Sequence, residues 1–156
     1  MEIREAAPQD AEAIADLLDQ VLMVHHNGRP DLFKADTRKY SDDEILALIA
    51  DPERPLFVAC DEASKVLGYA ICMIERYEGH ATMTDRTTLY VDDICVDEGA
   101  RGKGVGRAVY EHTLAFARSI GCHNLTLNVW SCNPGAQAFY EAMGMRPYRI
   151  GMEQLL

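Results

Sequence analysis

Three glycines and three cations share one short segment of the chain, made of Arg101, Gly102, Lys103, Gly104, Val105, Gly106 and Arg107. The glycines alternate between a strand-like run and a helix-like run, so backbone N–H groups at the helix start can approach an anion with no Cβ in the way. A helix N-terminus disfavours cations by roughly 0.3–1 kcal/mol each, so cations placed there indicate an anionic ligand. The segment therefore predicts a phosphate-binding turn; the alternative is a plain strand-to-helix turn with solvated basic residues.

Hydrophobic periodicity predicts the elements that position this turn. Apolar residues at 14, 17, 18, 21 and 22 indicate a helix from residue 8 to about residue 25. Ser41 and Glu44 form a capping-box pattern that begins a second, short helix. Runs at residues 56–60 and 66–74 predict a hairpin, and residues 87–96 continue it as an antiparallel strand.

The second half of the chain predicts one parallel strand pair. The helix after the glycines ends at Gly121 and a strand over residues 125–130 follows, which implies a right-handed crossover. Asn133 and Pro134 begin a further helix, Gly144 ends it, and a last strand is predicted within residues 145–153. The predicted fold class is α/β (α+β), one domain over residues 1–156. Its mixed, mostly antiparallel sheet has about six to seven strands and carries helices on both faces.

Composition limits the classes of partner. The formal net charge of −10 would repel nucleic acid and anionic membranes, which bind chiefly through Lys and Arg, so we expect neither as a partner. The charged chain start and the odd number of cysteines without a C-x-x-C motif favour a soluble, cytoplasmic protein with free thiols. The histidines lack the spacing of metal ligands, so no metal is predicted.

Two motifs carry a resemblance to a known family. Ile94, Cys95 and Val96 followed by R-G-K-G-V-G resemble the acyl-CoA signature of the GNAT superfamily of N-acyltransferases, a strand that ends just before R-G-x-G-x-G. A second block is similar to the family's next conserved pattern, N-x-x-A-x-x-F-Y-E-x-x-G, and consists of Asn133, Ala136, Phe139, Tyr140, Glu141 and Gly144. The resemblance extends from about residue 56 to the chain end. It implies the GNAT fold and an N-acetyltransferase with acetyl-CoA as co-substrate.

The resemblance also implies where the coenzyme binds. It places acetyl-CoA between strands 87–96 and 125–130, where the backbone of Ile94, Cys95 and Val96 pairs with the pantetheine arm like an added strand. The pyrophosphate would lie on the N–H groups of residues 102–107, with charge added by Arg101 and Lys103. Coenzyme contacts are further implied for Asn133, Ala136 and Tyr140, and Asn133 is also a helix N-cap.

The chemistry requires a base and an acid. Asp92 and Asp93 lie on the strand that would flank the thioester, but neighbouring strand residues point to opposite faces unless a bulge intervenes. We favour Asp92 as the base, and an edge carboxylate that only pairs with Arg or Lys is equally compatible. Tyr140 matches the family's general acid, although its position on an apolar helical stripe also fits plain core packing.

The acceptor is expected to be a small-molecule or protein amine, with a slight preference for a small cationic amine because of Asp92, Asp93, Glu75 and Glu78. In this superfamily the acceptor is chosen by the first helices and loops, here residues 25–41 and 77–85. Dimers are common in the family, so a homodimer is compatible with the resemblance. Two other classes stay open, a non-catalytic acyl-CoA-binding or sensing domain and a protein-interaction domain without a ligand.

Overall fold

The computed structural model describes residues 1–35 and 37–156, so Asp36 of the predicted acceptor segment lies outside the described residues. The helices are α1 (Ala11–Gly28), α2 (Asp42–Ala50), α3 (Val105–Ser119) and α4 (Pro134–Ala142). The strands are β1 (Glu2–Glu5), β2 (Leu56–Cys60), β3 (Val66–Tyr77), β4 (Arg86–Val96) and β5 (Asn124–Leu127).

The described strands form a sheet of five in the order β1-β2-β3-β4-β5. The first three pairings are antiparallel, and β4 and β5 are parallel. The prediction of a mixed, mostly antiparallel sheet is confirmed, as is the parallel pair on either side of α3. The described sheet has somewhat fewer strands than the six to seven expected.

Alternation along the central strands builds a core on each face of the sheet. Val58 and Cys60 pack with α1 and α2, whereas Phe57 and Ala59 point the other way and pack with α3. Successive side chains of a strand point to opposite faces, so a strand that is apolar throughout must be covered on both. The predicted arrangement of helices on both faces is therefore confirmed.

The helix boundaries follow the capping residues that the sequence indicates. The N–H of Glu44 donates to Ser41 Oγ at 3.3 Å and the N–H of Ser41 donates to Glu44 Oε2 at 2.7 Å, which completes the capping box of α2. Asn133 Oδ1 accepts from the N–H of Ala136 at 3.1 Å at the start of α4. Gly121, just past the end of α3, has a φ of 74°, a backbone region that favours glycine.

Two details of the prediction are wrong. Residues 145–153 form no strand within the described ranges, and β5 ends at Leu127 rather than at residue 130.

Of the helices in these ranges, not one has the length and apolarity to cross a membrane.

Candidate active site

The β4 strand extends beyond the last residue of its parallel neighbour β5 and leaves an open edge. Pairing with β5 runs from Thr88 opposite Asn124 to Val91 opposite Leu127 and then stops, although β4 continues to Val96. Across the described residues, therefore, no β5 partner covers the backbone of residues 92–96. An exposed strand edge offers N–H and C=O groups to an extended ligand. This edge contains Ile94, Cys95 and Val96, the residues predicted to meet pantetheine.

The predicted phosphate turn follows this edge after a short 3-10 helix, Glu98–Ala100, and needs its glycines. Gly102 and Gly104 have φ values of 75° and 84°, which residues with a Cβ rarely adopt. Gly104 is the N-cap of α3 and supplies no side chain to cap it. The N–H of Ala108 makes a hydrogen bond to the carbonyl of Gly104 at 3.0 Å. The N–H groups of residues 105–107 therefore precede the first backbone hydrogen bond of the helix. These groups can bind an anion.

The three cations of the turn make contacts that an incoming anion could replace. Arg101 Nε donates to the Val96 carbonyl at 3.2 Å and Lys103 Nζ donates to the Gly99 carbonyl at 2.8 Å. Arg107 lies 3.6 Å from Glu111, one helical turn later. Each of these cations is exposed, so all three stay close to the turn without being buried by it.

Helix α4 lies against the turn and brings Tyr140 to the site. A Cβ at Gly106 would lie 3.4 Å from Val96 Cγ2 and 3.6 Å from Phe139 Cε2, so Gly106 permits close packing of β4, α3 and α4. The Tyr140 ring lies 5.2 Å from the Phe139 ring and 6.4 Å from the Tyr110 ring, measured between centroids. Tyr140 is thus held by aromatic neighbours beside the open edge.

Burial governs the titration of Tyr140 and of Cys95. It raises the pKa of the Tyr140 phenol well above its usual value, and the nearby charge of Asp93 adds to the effect. The phenol therefore stays protonated at neutral pH. Burial also raises the pKa of Cys95 to about 12, which keeps its thiol protonated and unsuited to act as an acyl-carrying nucleophile.

A β-bulge brings both aspartates to one place. In the β3–β4 pairing Asp93 lies opposite Ile71 and Val91 lies opposite Cys72, so Asp92 has no opposite residue on β3. Such an extra residue breaks the strict alternation of side chains. Both carboxylates consequently reach Lys39, whose Nζ lies 3.2 Å from Asp92 Oδ2 and 3.1 Å from Asp93 Oδ2.

Asp92 is the more heavily partnered of the two carboxylates. Its Oδ2 accepts a hydrogen bond of 2.6 Å from the Tyr40 hydroxyl and lies 3.5 Å from Arg54 Nη2, in addition to the contact with Lys39. Its side chain is 20% exposed. These contacts tie β4 to the chain before α2 and to the turn before β2.

Asp93 is the more deeply buried carboxylate. Its side chain is 4% exposed, and its Oδ1 accepts from the hydroxyl of the fully buried Tyr69 at 3.2 Å. Burial raises the pKa of Asp93, and the charge of Lys39 offsets only part of that effect. Asp93 is therefore a stronger proton acceptor than an exposed aspartate.

The other two predicted carboxylates lie elsewhere. Glu75 is opposite Thr88 on β4. Thr88 is four residues, or about 13 Å, along the strand from Asp92. The Glu75 carboxylate accepts a hydrogen bond from the Tyr77 hydroxyl at 2.6 Å. Glu78 is exposed in the loop after β3. The partners of the aspartate pair were not predicted by residue and consist of Lys39, Tyr40, Arg54 and Tyr69. Two of them, Lys39 and Tyr40, lie within the predicted acceptor segment 25–41, which was the only signal for them in the sequence.

No group of three or more metal-binding side chains of His, Cys, Asp or Glu occurs in the part of the chain that the structure describes. The candidate site consists of an open strand edge, the glycine turn, a protonated tyrosine and a pair of carboxylates.

This chain is similar to a family of known proteins. The model of the acetyltransferase (GNAT) family matches residues 21–145. Streptothricin acetyltransferase of Streptomyces lavendulae is 31% identical over 92% of this chain and 80% of its own length. Probable glucosamine 6-phosphate N-acetyltransferase 2 of Oryza sativa is 28% identical over 70% of this chain, and the alignment spans only 58% of that relative.

Among solved structures, a mutant of the BH1408 protein from Bacillus halodurans superposes with a TM-score of 0.96 at 33% identity, over 100% of this chain and 99% of that chain. The family match covers the sheet from β2 onward, the glycine turn and α4. The chain belongs to the acetyltransferase (GNAT) family.

Proposed function

We propose that this protein is an acetyl-CoA-dependent N-acetyltransferase that moves an acetyl group to a primary amine by direct attack in a ternary complex. The observation that carries the proposal is the open edge of β4 at residues 92–96. One end of this edge meets the anion-binding turn, and the other carries the aspartate pair. Tyr140 is held beside it by α4.

In the proposed complex the pantetheine arm pairs with the backbone of residues 94–96, and the diphosphate binds the N–H groups that begin α3. Arg101 already lies at this edge, where it donates to the Val96 carbonyl. We expect its guanidinium to move toward the phosphates when the coenzyme binds. Bidentate guanidinium–phosphate contacts are stronger than a neutral hydrogen bond. Asn133 and Ala136 would contact the coenzyme from the first turn of α4, while Asn133 continues to cap that helix.

The base must take a proton from an ammonium group. An alkylamine with a pKa near 10.4 costs about 4.6 kcal/mol to deprotonate at pH 7. We propose Asp93 for this role, because burial raises its carboxyl pKa. This reduces the difference between the pKa of Asp93 and that of the amine. Asp92, which the sequence favours, is proposed to position β4 and the substrate loops through Tyr40, Lys39 and Arg54.

Tyr140 is proposed to assist the departing thiolate. A free coenzyme thiol has a pKa near 8.5 and an ordinary phenol one near 10, so full proton transfer is uphill by about 2 kcal/mol before burial is counted. Burial raises the Tyr140 pKa further, which favours a hydrogen bond to sulfur over full proton transfer as the tetrahedral intermediate collapses. The high pKa of Cys95 argues against an acyl-cysteine intermediate and supports direct attack.

The acceptor class is proposed to be a primary amine. The relatives are named as acetyltransferases of glucosamine 6-phosphate and of streptothricin, so they are named for different acceptors. In this chain the loop before α2 supplies Lys39 and Tyr40 to the aspartate pair. That loop is the element proposed to select among amines.

Acetyl-CoA turnover against a varied library of primary amines tests the proposal, with release of free thiol as the readout. We expect at least one amine to react, and Tyr140→Phe to lower kcat by about 10²-fold or more while acetyl-CoA affinity changes little. Tyr110→Phe is the matched control, since Tyr110 packs against the same aromatic group. Coenzyme binding without transfer to any amine would instead support a non-catalytic binding domain, and equal losses of kcat and affinity in Tyr140→Phe would indicate a packing role.

A further inference from the structure

The aspartate pair already holds an ammonium group, that of Lys39. Its Nζ lies 3.1 Å from Asp93 Oδ2, 3.2 Å from Asp92 Oδ2 and 3.3 Å from the Asp92 carbonyl oxygen. An ammonium group has three N–H donors and no acceptor. The three oxygens therefore form a complete binding site for a primary ammonium ion.

This ammonium site lies next to the proposed thioester position. All three oxygens belong to Asp92 and Asp93, which directly precede the open backbone at residues 94–96. Tyr140 is close enough to Asp93 for that carboxylate to affect the phenol pKa. A nitrogen at this place is bound by the two residues that directly precede the edge along which the pantetheine arm is proposed to bind.

Lys39 differs from its partners in how it is held. Asp92 and Asp93 belong to a central strand, whereas Lys39 comes from the connection between α1 and α2. Its side chain is 37% exposed, against 4% for Asp93. Lys39 can therefore leave toward solvent, but a buried Asp93 left without a cation is unfavourable unless another ammonium group replaces it.

We infer that Lys39 occupies the position of the acceptor amine, that a cationic acceptor binds by displacing it, and that without an acceptor Lys39 itself is acetylated by bound acetyl-CoA. This inference rests on the proposed acetyltransferase function and specifies its acceptor as a primary ammonium compound. It also assigns a modification site at the mouth of the active site.

The self-acetylation step uses only groups already described. The Lys39 ammonium gives one proton to the Asp93 carboxylate, and the free amine forms an N–C bond with the thioester carbonyl carbon. The C–S bond breaks and its electron pair stays on sulfur, which accepts a hydrogen bond from the Tyr140 hydroxyl. Sulfur then takes up the second proton lost by the nitrogen. The products are acetyl-Lys39 and free coenzyme A.

Uncatalysed acetylation would give a different pattern of modified lysines. Burial lowers the pKa of Lys39, but the charges of Asp93 and Asp92 outweigh it and the net shift is upward. Lys39 is thus a weaker nucleophile in solution than an ordinary exposed lysine, because less of it is deprotonated. Lys34 lies in the same connection and is exposed, which makes it the matched control.

The test is mass spectrometry of the full chain after incubation with trideuteroacetyl-CoA and no added amine. We expect Lys39 to be labelled at least tenfold faster than Lys34, and Tyr140→Phe to slow labelling of Lys39 but not of Lys34. A reactive amine from the library should protect Lys39. In turnover assays Lys39→Met should lower the half-saturating concentration of that amine several-fold, whereas Lys65→Met, in the exposed turn between β2 and β3, should leave it unchanged.

Two results would overturn the inference. If external amines are acetylated while Lys39 is labelled no faster than Lys34, or at a rate that Tyr140→Phe does not change, Lys39 does not occupy the acceptor position and the proposed function stands. If neither Lys39 nor any amine is acetylated, the acetyltransferase proposal fails together with the inference.

Discussion

At the scale of residues, neighbouring carboxylates in this site have different environments. Asp92 is partly exposed and shares its oxygen among Tyr40, Lys39 and Arg54, whereas Asp93 is buried and bonded to Tyr69 and Lys39. Environments that separate the pKa values of paired acids commonly separate their roles. Here burial favours Asp93 for proton transfer, and the number of partners favours Asp92 for positioning.

We therefore expect Asp93→Asn to lower kcat by roughly 10²- to 10⁴-fold, the range for loss of a general base. Only the carboxylate form can act as the base, so kcat of the wild type should rise with pH through the Asp93 pKa. Burial places that rise above the ordinary value of 3.8, and Asp93→Asn should abolish it. The measurement is the pH profile of kcat at saturating acetyl-CoA and amine.

Asp92→Asn provides the comparison, because the amide keeps the size of the side chain and can still accept from Tyr40. It should weaken acceptor binding more than it lowers kcat, and the rise with pH should remain. The reverse pattern, with the rise lost only in Asp92→Asn, would make Asp92 the base and leave Asp93 as its buried support.

The sequence identifies both aspartates as candidates but not how they meet. Strand alternation alone sends them to opposite faces, and the bulge that reunites them depends on the register between β3 and β4. Lys39 is separated from Asp93 by 54 positions, so no local spacing indicates their pairing. Such long-range ion pairs follow from the tertiary fold and were missed for that reason.

At the scale of elements, the turn before α3 depends on backbone conformation more than on its side chains. Gly104 has a positive φ, and a Cβ there would meet no atom within 4 Å, so the cost of a larger residue is purely conformational. That cost is about 1–2 kcal/mol for an L-residue in the left-handed region. The orientation of the N–H groups of residues 105–107 also depends on the backbone conformation of Gly104.

Gly104→Ala should accordingly lose about 1–2 kcal/mol of unfolding free energy and bind acetyl-CoA on the order of tenfold more weakly, the effect of one lost charge-assisted hydrogen bond. Gly121→Ala is the control at the opposite end of α3, with a φ of 74° and equally open space. It should lose similar stability and keep its affinity. Urea unfolding and calorimetric titration measure the two quantities, and equal affinities in both variants would show that the turn does not bind the diphosphate.

Elements with local signals were predicted best. The capping box of α2, the Asn133 cap of α4 and the hairpin of β2 and β3 all follow from short patterns. The predicted last strand has an alternating apolar pattern at Tyr148, Ile150 and Met152, yet these side chains are 70–89% exposed. A strand needs a partner edge as well as a suitable pattern, and the pattern alone does not supply one.

At the scale of the whole molecule, overall charge and local charge oppose each other. The chain has a net charge of −10, whereas coenzyme A carries several phosphate charges that such a protein repels at long range. Under the proposed function, affinity comes from short-range contacts at the turn and the open edge. Two sequence motifs inside the family match indicate this proposed coenzyme site, whereas loops distant in sequence assemble the partners of the aspartate pair and gave no such signal.

Ligand binding at this edge should stabilise the whole fold, since the coenzyme would bridge β4, α3 and α4 and bind only the native state. At a concentration one hundred times its Kd, acetyl-CoA should add about 2.7 kcal/mol of stability, equivalent to a rise in Tm of roughly 5–11 °C for a domain of this size. S-acetylpantetheine is the matched ligand, because it keeps the thioester and the arm but lacks the diphosphate and nucleotide. At the same concentration it should raise Tm by far less, because only the strand-like contacts along residues 94–96 remain. Equal shifts by both ligands in a thermal melt would mean that the glycine turn contributes nothing to binding, and its three cations would then need another explanation.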